Sequence, residues 1–148
     1  MRHLFRLLAV ALLLPFGSAS AGDINTTSEG VAIEGYDSVG YFSAGRAQRG
    51  DTVYETEWNG ATWRFATAAE RDAFAADPAA YAPQFGGYCA NGLSQGHKVT
   101  GNPEIWRIID GKLYLFHAER GRQRWNAAGD VGAFIADATK TWNSLKSE

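Results

Sequence analysis

A spacing that occurs twice constrains this chain more than any other feature. Asn59-Gly60 and Asp110-Gly111 are both dipeptides of the kind that close two-residue hairpins, and each sits between alternating apolar and polar segments. From Gly60 to Phe65 is five residues, as it is from Gly111 to Phe116; from Gly60 to Phe74 is fourteen, as it is from Gly111 to Trp125. The first unit reads as a strand through Thr52–Trp58, a return strand Ala61–Phe65, and a helix opened by Thr67. Glu70 stands three residues further on, at the capping-box spacing, and the helix runs to about Ala76. The second reads as Glu104–Ile109, Lys112–Phe116 and a helix through Glu119 and Trp125. Two units of hairpin plus helix predict an α+β fold, a small single domain with an internal duplication, its helices packed on one sheet face.

The flanking segments complete this plan. Val31–Ile33 reads as a short strand. Asp37 or Ser38 is placed to cap one or two helical turns that bury Val39, Tyr41 and Phe42. Asp77-Pro78 starts a short helical piece reaching Tyr81. A last helix from about Asp130 aligns Val131, Phe134, Ile135, Ala138 and Trp142 on one stripe. With 13% aromatic residues, large rings such as Trp63, Tyr114 and Trp106 are expected in or at the edge of the core.

The first 21 residues are expected to be removed. Arg2 and Arg6 precede an apolar run, Leu7–Phe16, broken only at Pro15, and Ala19-Ser20-Ala21 follows as a cleavage site. This is the pattern of a secretory signal peptide cut after Ala21. The run is too short to span a bilayer core of roughly 30 Å, so no stable membrane anchoring is expected. Residues 22–30 read as a flexible leader and 31–148 as the domain. Loss of Arg2 and Arg6 takes the formal charge from −2 to −4. An acidic chain lacks the basic footprint of phosphate-backbone binding, which argues against nucleic acid. The location expected is the periplasm, an oxidising compartment.

There is one cysteine, Cys89, and with it no internal disulfide and no four-thiolate cluster. It lies in the least regular stretch, Pro83–Pro103, among Gly86, Gly87, Gly92 and Gly96 and close to His97. A lone thiol in an exported chain is either a small buried hydrophobe or a reactive or metal-binding group. Its available companions are His97 and His117, which make a soft-metal site for copper, or zinc, one reading. Gly87 and Tyr88 beside it, with Tyr36 and Asp37, are candidates for the wall of a binding pocket, while Asp37 also reads as a helix cap. No phosphate loop, nucleophile elbow or zinc helix is present, and Glu55 and Glu57 read as the solvated face of the hairpin.

Several of these residues together resemble the YHS domain family. They are Gly35-Tyr36-Asp37-Ser38-Val39, Tyr54, Asn59-Gly60, Trp63-Arg64-Phe65, Phe74 and Asp77-Pro78-Ala79-Ala80-Tyr81. Gly86-Gly87-Tyr88-Cys89-Ala90, Trp106, Asp110–Leu115 and Trp125 look like the exported bacterial branch, in which some members have selenocysteine at the position of Cys89. The resemblance covers about residues 33–142. It implies a small α+β domain that binds or senses heavy metals, and chalcogen chemistry at Cys89. The family's usual cysteines stand at three places that here hold Gly40, Ala66 and Glu70. A metal role must therefore move to Cys89, with His117 at the repeat counterpart of Ala66. The readings carried forward are a soft-metal binding domain, a thiol-dependent redox protein needing an external thiol because no resolving cysteine exists, and an accessory or interaction domain without chemistry. The corresponding partners are a metal ion or small molecule, or a second copy, since a homodimer would bring two Cys89 thiolates together.

Overall fold

The computed structural model describes residues 24–146; the expected signal peptide lies outside them. The elements are α1 (Gly40–Ser43), β1 (Asp51–Trp58), β2 (Ala61–Phe65), α2 (Ala68–Ala76), α3 (Pro78–Tyr81), α4 (Ala90–Ser94), β3 (Asn102–Ile109), β4 (Lys112–Phe116), α5 (Glu119–Ala127) and α6 (Gly132–Lys146). The fold is α+β, with two antiparallel hairpins and a C-terminal helix.

The two units match in detail. Asn59 and Gly60 have φ of 48° and 73°, Asp110 and Gly111 49° and 74°, so both hairpins close with two left-handed residues, the turn whose twist suits paired strands. In β1–β2, Asp51 pairs with Phe65, but the next pair is Glu55 with Arg64. In β3–β4, Asn102 pairs with Phe116 and Trp106 with Leu115. The same bulge therefore falls at the same place in each. The hairpins do not share a sheet: each is its own two-stranded sheet. This corrects the expectation of helices on one common sheet face. Side chains rather than ladder hydrogen bonds join the two units.

That packing centres on β4. Leu113 and Leu115 enter one apolar cluster with Ile33, Tyr41, Trp63, Phe65 and Phe74, whereas Tyr114 and Phe116 enter a second with Cys89, Ala90 and Trp125. Successive side chains of a strand point to opposite faces, so a strand buried on both faces must be apolar throughout. Leu113-Tyr114-Leu115-Phe116 satisfies this, and all four residues are buried. β2 has the other pattern, with Ala61, Trp63 and Phe65 buried and Thr62 and Arg64 half-exposed. On its solvent side Arg64 Nε donates to Glu55 Oε1 at 2.8 Å.

α6 lies along α4 and covers the second cluster. Phe134 stacks at 5.7 Å from Trp125, and Trp142 lies 6.2 Å from Phe85 and 5.8 Å from Tyr88. The expected leader is not free from Ile24 onward. Ile24 is buried in the first cluster, Asn25 N–H donates to the Gly86 carbonyl at 2.8 Å, and Thr26 pairs with Ala32.

Phe74 and Trp125 hold equivalent places, one per unit, and both are fully buried. Phe74→Ala and Trp125→Ala should each cost about 3–5 kcal/mol, read as a shift of the urea midpoint. Midpoints that barely move would contradict two packed repeats.

Candidate functional site

The repeat extends upstream of the hairpins, where the sequence spacing hides it. Ile33, Glu34 and Gly35 have φ of 42°, 55° and 79°; Phe85, Gly86 and Gly87 have 57°, 63° and 86°. After each left-handed run comes a tyrosine in an isolated antiparallel bridge, Tyr36 with Arg49 and Tyr88 with Thr100. The following residue donates its N–H to a carbonyl, Asp37 to Gln48 at 2.9 Å and Cys89 to Val99 at 2.9 Å. Gly50 and Gly101 occupy matching places where no side chain fits. A Cβ on either would lie 2.4 Å from backbone, that of Arg64 or of Gly87. Cys89 is thus the structural counterpart of Asp37. Asp37 Oδ1 accepts the Gly40 N–H at 3.1 Å, and Cys89 Sγ accepts the Gly92 N–H at 3.3 Å.

The environments of these two residues differ. Around Asp37 the first repeat builds a closed polar cluster. Oδ1 also accepts from Val39 N–H at 2.9 Å, and Oδ2 accepts from Ala66 N–H at 2.9 Å and Gln48 Nε2 at 3.4 Å. Gln48 Nε2 donates to Glu70 Oε1 at 3.2 Å, joined there by Ser43 Oγ at 3.1 Å, while Thr67 Oγ1 donates to Glu70 Oε2 at 3.2 Å. Thr67 also accepts the Glu70 N–H, completing the expected capping box of α2. Burial and the hydrogen bond to Glu70 push the Asp37 carboxyl up to about 6. At Glu70 burial acts upward too, but the hydrogen bonds from Asp37, Ser43, Thr67 and Gln48 outweigh it and leave that carboxyl below its usual value. When the pair holds one proton, that proton is therefore on Asp37.

In the second repeat the same region is a pocket of about 230 Å³. Its lining includes Cys89, Gly92, Val99, His117, Ala118 and Gly121, the counterparts of Asp37, Gly40, Gln48, Ala66, Thr67 and Glu70, together with Asn91, Gln95, His97 and Arg120. Val99 replaces an amide, Ala118 a hydroxyl and Gly121 a carboxylate, and Asn91 lies against Gly121, where an added Cβ would come 3.1 Å from the Asn91 Cβ. Cys89 forms part of the floor, 3% exposed. His117 follows β4, and its Nδ1 lies 3.0 Å from the Thr100 carbonyl oxygen. A carbonyl only accepts, so Nδ1 carries a hydrogen, and in the neutral ring Nε2 then holds the lone pair.

The structure thus brings Cys89, His97 and His117 to one pocket. None of Gly87, Tyr88, Tyr36 and Asp37 lines it. Tyr88 stacks instead on Trp142, with Lys98 Nζ 4.4 Å from its ring centre. Tyr36 donates from its hydroxyl to Glu104 at 3.1 Å beneath Arg49, and Asp37 caps α1. Sequence reasoning missed Arg120, Gly121 and Val99. The available signal was the recurrence of Gly-Tyr at residues 35–36 and 87–88, offset by one residue more than the hairpins are. Among the described residues no group of three or more His, Cys, Asp and Glu side chains is placed to hold a metal ion, and no helix is long and apolar enough to cross a membrane. Comparison of the chain with protein-family models, curated proteins and solved structures returns no match.

The raised Asp37 carboxyl has a pH signature. Protonated Asp37 favours the folded state, and that contribution is complete below the ordinary aspartate value and lost as pH rises through about 6. Glu70 acts oppositely, its contribution being lost as pH falls through the ordinary glutamate range. Thermal midpoints should therefore decline between pH 5 and 7. Glu70→Gln, which removes the carboxylate that holds the proton on Asp37, should shrink this decline. An undiminished decline would contradict the shared proton.

Proposed function

We propose that the chain is an exported, periplasmic YHS-type binding domain that handles a soft metal ion, copper(I) foremost, through Cys89 and His117. The observation that carries this reading is the hydrogen bond from His117 Nδ1–H to the Thr100 carbonyl. It leaves Nε2 as a free donor atom on a ring whose orientation is fixed, the arrangement that second-shell carbonyls give to metal-bound imidazoles. Cys89 shares the pocket, and its sulfur accepts a backbone N–H from Gly92; the thiolate is the form that binds metal.

The donor set favours copper(I) over zinc. Structural zinc takes four protein ligands, and no cluster of three or more such groups exists among the described residues. A thiolate with an imidazole suits copper(I), which soft sulfur ligands select. The family resemblance adds support. The three places of its usual cysteines hold Gly40, Ala66 and Glu70 in the first repeat, and their counterparts Gly92, His117 and Gly121 all line the second repeat's pocket. Bound copper(I) would be held as cargo or as a sensed ion, with the pocket as its way in.

One observation favours a second reading: about 230 Å³ is more room than a bare ion needs. A thiol-dependent redox protein would use that room for an external disulfide. The Cys89 thiolate would attack one sulfur, form a mixed disulfide and release the other half as a thiol.

Competition against a chromophoric copper(I) chelator tests the main reading. The wild-type protein should withdraw copper(I), Cys89→Ser should not, and His117→Ala should weaken binding by at least about tenfold, more than His97→Ala does. A Cys89→Ser protein that competes as well as wild type would overturn the metal role. Native Cys89 that takes up a disulfide but no copper would move the assignment to redox exchange.

A further inference from the structure

The two repeats turn equivalent faces to different neighbours. In the first, residues 33–43 receive the outward side of the second hairpin. Trp106 meets Tyr41 edge-on at 5.2 Å. The Tyr41 hydroxyl donates to the Pro103 carbonyl at 2.6 Å and the Tyr36 hydroxyl to Glu104 at 3.1 Å. Leu113 and Leu115 join Ile33 in the first cluster, and Ile108 packs against it. The matching face of the second repeat is built on Phe85, Tyr88 and Leu93, the counterparts of Ile33, Tyr36 and Tyr41. There the occupant is α6. It runs along α4, which carries Leu93, and Trp142 sits 6.2 Å from Phe85 and 5.8 Å from Tyr88.

The two covers differ in how firmly they are held. Leu113 and Leu115, which cover the first face, are both buried. In α6 only Ala138 is buried, and Trp142 is half-buried. Elements with few buried apolar contacts open locally at the least cost. The outward side of the first hairpin has a different chemistry. Glu55, Glu57, Thr62 and Arg64 stand at the places of Trp106, Ile108, Leu113 and Leu115, and they are joined by hydrogen bonds from Arg64 to Glu55 and from Thr62 to Glu57. A second copy of this chain therefore offers no apolar hairpin to the face under α6.

We infer that the face formed by Phe85, Tyr88 and α4 is a docking surface for a partner protein's β-hairpin whose outward side is apolar, and that α6 covers it until such a hairpin displaces it. The hairpin lies there as β3–β4 lies on residues 33–43. The inference does not rest on the copper reading, because Phe85 and Tyr88 stand outside the pocket that Cys89 and His117 line.

Two variants of the full chain test it. A presenting variant, with Glu55→Trp, Glu57→Ile, Thr62→Leu and Arg64→Leu, copies the outward side of the second hairpin onto the exposed first one. A receiving variant, Trp142→Ala, loosens α6. Sedimentation velocity of the labelled presenting variant with the receiving one should show a one-to-one complex. Amide NMR of the receiving chain should place the shifts in residues 85–94 and in α6. Wild type, with α6 intact, should bind the presenting variant at least about tenfold more weakly, and a chain with the unaltered first hairpin should not bind the receiving variant. Thr62→Leu with Arg64→Leu carries the test should the fourfold variant not fold. Equal binding to wild type and to Trp142→Ala, presenting chains that associate only with one another, or no complex at all would overturn the inference.

Discussion

Strand β4 has no face turned to water, and the rest of the molecule is arranged around that fact. Leu113 and Leu115 belong to the first unit's core, Tyr114 and Phe116 to the second's. Burying such side chains is worth roughly 1.5–3 kcal/mol each, so this short strand commits each repeat to the other. Two isolated hairpins would be marginal at best in water; one strand shared between two cores removes that weakness without a common sheet. It also fixes the site. Cys89 bridges to Leu115 beside β4, and His117 is the first residue past its end.

Once the repeats are superimposed residue by residue, their difference has a chemical meaning. Asp37 and Cys89 do the same structural work, each accepting the N–H of the glycine three residues on. Around Asp37 the first unit retains an amide, two hydroxyls and a second carboxylate, and the cluster is closed. Around Cys89 the amide, one of the hydroxyls and the second carboxylate give way to a valine, an alanine and a glycine, and a cavity lies over the sulfur. A polar knot in one half and an open pocket in the other are therefore two versions of one arrangement. The loss of the capping box from α5 weakens a helix start by about 0.5–2 kcal/mol, the scale of stability that a binding site commonly forgoes.

Much of this was legible in the sequence because it rests on short-range chemistry. Asn59-Gly60 and Asp110-Gly111 name their turns, Thr67 with Glu70 names a helix start, and the stripe from Val131 to Trp142 names the side of the last helix that packs on the second cluster. The grouping of Cys89, His97 and His117 at one pocket was half visible, through the place of His117 after its hairpin. What escaped depends on alignment and on long-range contact. The loop from Gly92 to Gly101 is one residue shorter than its counterpart from Gly40 to Gly50, which shifts the Gly-Tyr-Cys segment out of step with the hairpins and conceals its kinship with Gly-Tyr-Asp. The docking of Ile24 and Asn25 against distant residues has no local signature. Nor do the separate sheets, since hairpin patterns say nothing of whether two hairpins lie edge to edge. Pockets made by missing side chains are the hardest to foresee: Gly121 matters only against Glu70.

The central claim is that the second repeat is the first with its polar filling removed, leaving Cys89 reachable in the folded protein. The rate at which Cys89 reacts with methyl methanethiosulfonate under native conditions tests it most directly. The wild-type thiol should react far faster than the protein unfolds. Refilling the pocket with Val99→Gln and Gly121→Glu, in protein that still shows its native circular dichroism, should slow the reaction by at least about tenfold, the loss of roughly 1.4 kcal/mol in access. A wild-type thiol that reacts only as fast as the chain unfolds, at a rate the refilled variant shares, would contradict the account.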